Sequence, residues 1–340
     1  MAFIPLACGA AHIIGLVDAP GGRKHHEGSI PLVGGLVIFP VFMVISLLSG
    51  TDIAYVWPFF MALSLILIIG FMDDYMEMPA WPKFLIQISA AMLIVMPGDA
   101  ELVRLGNLFG FGTVFTGPFS ELFSIAAVVL LINAINLMDG LDGLAAGKGF
   151  IVTLWLMIAC FMAGEWPPFW TLAALLACIG GFLFYNMRHP FRGKAALFLG
   201  DAGSMALGLT LAWFCIGLAQ EPHPVVTPIS IAWIVALPVI DACGQFARRV
   251  SEGRHPFSPD RGHFHHHFVH AGIPIGRSTA TILMLGFVLG GVGVIGILIG
   301  VPQYVLTFAW ITLLFSHMAL SFRPERYTQI ISRLNRRAID

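Results

Sequence analysis

Two amides and two carboxylates recur at three-residue steps in the stretch Asn133-Ala134-Ile135-Asn136-Leu137-Met138-Asp139-Gly140-Leu141-Asp142-Gly143, at the end of an apolar run. In bare lipid each of these groups is costly, so a site is the natural reason for them. Steps of three keep Asn133, Asn136 and Asp139 on one broad face of a helix, while Gly140, Gly143 and Gly147 argue that the helix stops near Met138. Asp139 and Asp142 then stand on a loop whose backbone a ligand can approach, with their oxygens at the aqueous end of a membrane helix.

Four further clusters follow the same logic. Asp73 and Asp74 are adjacent at the end of an apolar run, where mutual repulsion is best explained by a cation or a proton-transfer task, against the plain alternative of a solvated helix end. Lys83 and Gln87, four residues apart, face the same mouth. Asn186, Arg188, His189, Arg192 and Lys194 precede Phe198-Leu199-Gly200-Asp201-Ala202-Gly203-Ser204, a glycine-rich turn into a helix whose free N–H groups suit a phosphate, with Asp201 as a carboxylate beside it. Asp201 or Ser204 acting only as a helix cap is the competing reading. Last, Asp260-Arg261-Gly262-His263-Phe264-His265-His266-His267 gathers imidazoles around Arg261. With no cysteine nearby and arginines on either side, an anion-binding loop is better supported than zinc.

The elements that must carry these groups are membrane helices. Of 340 residues 58% are hydrophobic and 11% charged, with mean hydropathy +0.86, whereas soluble domains carry about 25% charged residues. Apolar runs fall at about 30–49, 54–72, 83–98, 121–138, 149–164, 168–187, 205–220, 228–247, 278–299 and 302–321, with a shorter one at 1–17. The expectation is an all-α polytopic membrane protein of about 10–11 transmembrane helices: an integral-membrane domain over 1–321 and a basic tail over 322–340 that lies on the inner leaflet. If all the runs span, every Lys and Arg except Arg104 falls on one side, which the positive-inside rule makes cytoplasmic. Lys148 is counted there as a loop cation. Residues 105–112 read as a short hairpin on the opposite side. The cysteines read as small buried hydrophobes, and no removed signal peptide is expected.

All the candidate chemistry sits at the cytoplasmic end. A cation-coupled transporter, the alternative of a different class, normally places its polar groups near the midplane. Carboxylates mixed with cations at one interface fit Mg²⁺ and a diphosphate better, because Mg²⁺ takes one or two protein oxygens and fills its shell with phosphate and water.

The combination resembles the polyprenyl-phosphate N-acetylhexosamine-1-phosphate transferase superfamily, and within it the undecaprenyl-phosphate N-acetylglucosaminyl 1-phosphate transferase branch. The resemblance rests on Arg23, Lys24, His26, Pro31, Gly34 and Gly35; on Asp73 and Asp74 with Lys83 and Gln87; on the 133–144 run; on Phe198 to Ser204; and on Asp260, Arg261, His263, His265 and His266. It implies a Mg²⁺-dependent phosphotransferase, with Mn²⁺ an admissible substitute. Such an enzyme moves a sugar 1-phosphate, here N-acetylglucosamine 1-phosphate, from a UDP-sugar to undecaprenyl phosphate and releases UMP. That is the first membrane step of a cell-envelope polysaccharide such as lipopolysaccharide or O-antigen. The resemblance further implies that Asn136 and Asp201 hold the metal. Lys83, Asn133, Asn186, Phe198, Arg261 and His266 bind substrate, with Phe198 stacked on uracil, and Asp73, Asp74, Asp139, Asp142, His263 and His265 serve catalysis. The implied setting is the inner (plasma) membrane, with the bilayer as partner, no nucleic acid, and a homodimer as an admissible assembly. A phospho-N-acetylmuramoyl-pentapeptide transferase is the alternative within the superfamily, disfavoured because that branch carries a Pro-x-His-His-His loop. The short run at 1–17 departs from the superfamily's complete first helix.

Overall fold

The computed structural model describes residues 3–18, 28–51, 53–220, 224–255 and 262–337. Its helices are α1 (Phe3–Ile14), α2 (Gly34–Leu48), α3 (Ile53–Met76), α4 (Ala80–Val95), α5 (Ser120–Leu137), α6 (Leu144–Ala163), α7 (Trp166–Asn186), α8 (Gly200–Gly217), α9 (Pro228–Ile234), α10 (Ala236–Ser251), α11 (Phe264–His270), α12 (Ile275–Leu298), α13 (Gln303–Ser321) and α14 (Pro324–Arg337). A 3-10 turn at Gly117–Phe119 leads into α5, and two antiparallel pairs of very short strands are also present: β1 (Val17–Asp18) with β2 (Ile30–Pro31), and β3 (Arg104–Gly106) with β4 (Val114–Phe115). The second pair is the hairpin expected around 105–112.

The chain is an all-α polytopic membrane protein. Among the described residues, six helical stretches are long and apolar enough to cross a bilayer: those at Val56–Met76, Gly117–Leu137, Leu144–Ala163, Trp166–Asn186, Ile275–Leu298 and Gln303–Ser321. A seventh span results if α9 and α10 count as one. The other apolar runs form shorter or more polar helices. Helices α1, α2 and α4 have 12, 15 and 16 residues, and α8 gives its first turn to Asp201 and Ser204.

Helix α8 is the axis of the bundle, packed against α2, α3, α5 and α6 and buried over most of its length. Small residues permit this close approach, as is usual where lipid supplies no hydrophobic drive between helices. A Cβ at Gly35 would collide with the backbone of Gly203, so α2 and α8 meet main chain to main chain.

The run at 228–247, expected as one span, is broken. Helices α9 and α10 meet at a bend of 76°. Pro238 has no N–H to give the carbonyl four residues back, which is that of Ile234. The freed carbonyl accepts a hydrogen bond from Lys148 Nζ at 2.9 Å. Lys148 is therefore not a loop cation. Helix α6 starts at Leu144, earlier than its apolar run, and Lys148 lies fully buried within it.

Candidate active site

The end of α3, the start of α4, the end of α5 and the start of α8 converge. Asp73 Oδ1 accepts the Met78 N–H at 2.7 Å, and Oδ2 accepts from Lys83 Nζ at 2.6 Å. Lys83 Nζ also lies 3.5 Å from Asp201 Oδ2. Asp74 turns the other way, accepting the backbone N–H groups of Asp201 at 2.8 Å and Ala202 at 3.1 Å. The adjacent aspartates thus diverge, each with its own set of donors. This corrects the expectation for α8: the N–H groups of Asp201 and Ala202 are spent on Asp74 and are not free for phosphate. The carboxylate also benefits from the positive end of the helix dipole. Glycine at 200 is required twice over, by a left-handed φ of 76° and because a Cβ would lie 2.6 Å from Asp74 Oδ2.

Asn136 Nδ2 donates to Asp201 Oδ1 at 3.0 Å and to Ser204 Oγ at 2.9 Å. Asn133 Nδ2 donates to Gln87 Oε1 at 2.7 Å and to the Val129 carbonyl at 2.8 Å. Lys83 meets carboxylates, whereas Gln87, expected at the same mouth, is buried and ties α4 to α5.

Helix α5 ends at Leu137, leaving Asp139 and Asp142 on the following loop as expected. Asp139 keeps contact with solvent at the mouth, yet its pKa is pushed up to about 8. Loss of hydration against the enclosing protein is the first cause, followed by repulsion from Asp201, Asp74 and Asp142. Since the residue remains accessible, the repulsion is the firmer of the two. Asp142 Oδ2 pairs with Arg188 Nε at 2.7 Å. Asn186 bridges two loops: its Oδ1 accepts the Gly143 N–H at 2.8 Å, and its Nδ2 donates to the Leu197 carbonyl at 2.9 Å. Half-buried Phe198 sits in the loop entering α8, which is backed by Pro31 and Gly34 through Phe198 N–H to the Pro31 carbonyl (2.8 Å) and Gly34 N–H to the Phe198 carbonyl (3.0 Å).

The histidine loop docks on the same end as α11. His265 is buried and lies directly on Gly140, where an added Cβ would strike its Nε2; that nitrogen has no hydrogen-bond partner. Burial first, then His266, holds the His265 pKa down to about 3, so it is a neutral imidazole and offers no charge to an anion. His266 is half-buried, its ring 4.2 Å from that of His265. His263 faces elsewhere. Arg249 Nη2 can only donate, so His263 Nε2 accepts from it at 3.0 Å, and Nδ1 carries the proton toward Asp241 Oδ2 at 3.0 Å. Asp241 Oδ1 takes the Phe264 N–H at 2.9 Å and lies 3.5 Å from His317 Nε2, while His317 Nδ1 meets the Tyr327 hydroxyl at 3.0 Å. Both ring nitrogens of His263 are therefore committed to fixing α11 on α10. Arg261 and Asp260, with Arg23, Lys24 and His26, lie outside the described residues.

Asp73, Asp74, Lys83, Asn136, Asp139 and Asp201 thus form one cluster, with His265 on its loop. Asn133, Asn186 and Asp142 brace its walls, and His263 belongs to a second network. The sequence reading missed Asp241, Arg249, His317 and Lys148. A lone ionisable group inside an apolar run was the available signal for Asp241 and His317.

A glycosyl transferase family 4 profile matches residues 56–219, the region that holds most of this cluster. Over nearly the whole chain the sequence is similar to proteins named undecaprenyl-phosphate alpha-N-acetylglucosaminyl 1-phosphate transferase. That of Yersinia pestis is 30% identical over 99% of this chain and 92% of its own length. The corresponding figures are 30%, 98% and 91% for Salmonella typhi, and 29%, 98% and 91% for Escherichia coli K12.

Proposed function

Because the chain belongs to the polyprenyl-phosphate N-acetylhexosamine-1-phosphate transferase superfamily, we propose that it transfers N-acetylglucosamine 1-phosphate from a UDP-sugar to undecaprenyl phosphate. An oxygen of the lipid phosphate attacks the sugar-bearing phosphorus. The bond from that phosphorus to the bridging oxygen breaks, and UMP leaves with that oxygen. The products are a lipid diphosphate sugar and UMP, made at the cytoplasmic face of the inner membrane. The observation that carries the reading is the convergence of Asp74, Asp139 and Asp201 with Lys83 and Asn136 at one end of an apolar bundle, in a chain similar throughout its length to enzymes of that name.

The residues fit a divalent cation. Loss of hydration first, then the charges of Asp201, Asp74 and Asp142, raise Asp139, and every carboxylate donor is a hard oxygen. Among the described residues no three His, Cys, Asp or Glu side chains close a cage, so phosphate and water would supply the remaining ligands, as Mg²⁺ prefers. Asp201 would hold Mg²⁺ or Mn²⁺. Asn136 would join it once its amide turns, since its nitrogen now faces Asp201. The ion would neutralise charge on the diphosphate. The chain's own residues do the rest. Lys83, oriented by Asp73, meets a phosphate; Asp74 fixes the α8 start that aims Asp201; and His265 offers a neutral N–H beside the Asp139 loop. Little general-base power is needed, because a phosphate monoester is largely ionised at neutral pH, its second pKa being about 6. Positioning and charge neutralisation carry most of such a transfer.

The experiment is purified protein with undecaprenyl phosphate, Mg²⁺ and a panel of UDP-sugars, scored by UMP release. UMP formation with UDP-N-acetylglucosamine alone supports the reading in full. Preference for another UDP-N-acetylhexosamine refutes the sugar, and no UMP with any of them refutes the reaction.

A further inference from the structure

Helix α14, the helix in the basic C-terminal segment, packs against the protein. Its buried Tyr327 and Ile331 face the protein, Tyr327 reaches His317, and Thr328 Oγ1 meets His267 Nδ1 at 2.9 Å. The elbow where α13 turns into α14 forms an open groove of about 970 Å³, lined by Arg323, Arg326, Gln329, Ile330, Arg333 and Leu320 among others, none of them in the candidate active site. Arg326, Gln329, Ile330 and Arg333 follow at steps of three and four, so one face of a pinned helix presents them together. No carboxylate lines the groove, and among the described residues none of its three arginines has an ion-pair partner. Beside them Phe322, Ile330 and Leu334 are exposed, at the foot of α13, which is long and apolar enough to span.

Three arginines lining one groove, with no ion-pair partner among the described residues and with apolar side chains beside them at the end of a span, suit a ligand that is anionic at one end and greasy at the other. Free phosphate satisfies the first need only. We propose that the α13–α14 elbow is a binding site for the phosphodiester headgroup of an anionic membrane phospholipid, its acyl chains lying along α13. Arginine forks suit phosphate oxygens, and in this setting each basic group contributes about fivefold in affinity.

The test is native mass spectrometry of the full-length protein from membranes of equimolar phosphatidylglycerol and phosphatidylcholine. Phosphatidylglycerol should be retained selectively. Arg326→Gln and Arg333→Gln should each weaken retention about fivefold, whereas Arg336→Gln, on the same helix but outside the groove lining, should leave it unchanged. Thermal unfolding checks that the variants keep the fold. Equal retention of the two lipids, or an equal loss with Arg336→Gln, would mean a diffuse basic surface and overturns the site. Displacement of the retained lipid by inorganic phosphate overturns the lipid assignment. Displacement by stoichiometric undecaprenyl phosphate would make the elbow an acceptor site and overturns it likewise.

Discussion

Asp201 and Asp241 are carboxylates at the same end of the bundle, one at the start of a helix and one within a helix, and their surroundings differ in sign. Around Asp201 stand Asp73, Asp74 and Asp139, with Lys83 as the cation in reach. Around Asp241 stand His263, His317 and the Phe264 N–H, with Arg249 behind His263. The first cluster crowds carboxylates around one cation, and on the proposed function it would gain when a cation and a phosphate arrive. The second has basic groups and a backbone N–H around its carboxylate with nothing bound, and it seats α11 so that His265 lies on Gly140. Chemistry is therefore assigned to the crowded group and positioning to the paired one.

The largest effect should come from breaking the paired cluster. Asp241→Asn leaves a buried Arg249–His263 pair without its carboxylate, a loss of about 3–5 kcal/mol in stability. The measurement is unfolding of the detergent-solubilised variant, and an unfolding midpoint equal to wild type would show that the network carries no load.

His265 tests the contact between the two regions. His265→Ala removes a neutral hydrogen-bonding group and should cost about 1–3 kcal/mol, roughly 5- to 150-fold in kcat/KM, with the fold kept. His265→Gln should recover part of it. His263→Gln should instead lower stability first, since both of its ring nitrogens serve the Asp241 network. Equal kinetic losses with unchanged stability in both would erase the distinction.

The smallest effect is the pH dependence of stability in metal-free protein, and the two regions should bend the curve in opposite directions. His265 and His267 lie well below the ordinary histidine value of 6.5, at about 3 and about 4. The unfolded chain therefore binds more protons in that window, and stability falls as the pH drops below about 6.5. Asp139, raised to about 8, keeps a proton that the unfolded chain has lost. Its contribution is present below the ordinary carboxylate range and disappears as the pH rises toward 8. His265→Gln should flatten the acid limb and Asp139→Asn the alkaline limb, each on the order of 1–2 °C in Tm. A Tm measured from pH 5 to 8 in EDTA checks both signs, and identical curves for wild type and Asp139→Asn would remove the repulsion on which the cation argument stands.

Much of the crowded region was legible because its residues announce themselves: polar side chains at the ends of apolar runs, glycines that stop α5, and the i, i+4 pair of Lys83 and Gln87. The divergence of Asp73 and Asp74 was not legible, since it depends on α8 presenting its first N–H groups to one of them. The Asp241 network was hidden for a different reason. Its members come from α10, α11, α13 and α14, and spacing along the chain carries no trace of their meeting. Lys148 was misread because a charge near a run boundary reads as a loop residue. Only the Pro238 break supplies a buried carbonyl for it.

The most direct test joins the metal to Asp201. Purified protein with undecaprenyl phosphate and UDP-N-acetylglucosamine should release UMP one-for-one with lipid diphosphate sugar, stop in EDTA, and resume with Mg²⁺. Asp201→Asn should lower turnover on the order of a hundred- to a thousandfold at saturating Mg²⁺ while remaining folded. Full turnover in EDTA, or near-normal turnover of Asp201→Asn, would contradict the assignment of the carboxylate cluster as the metal-dependent transfer site.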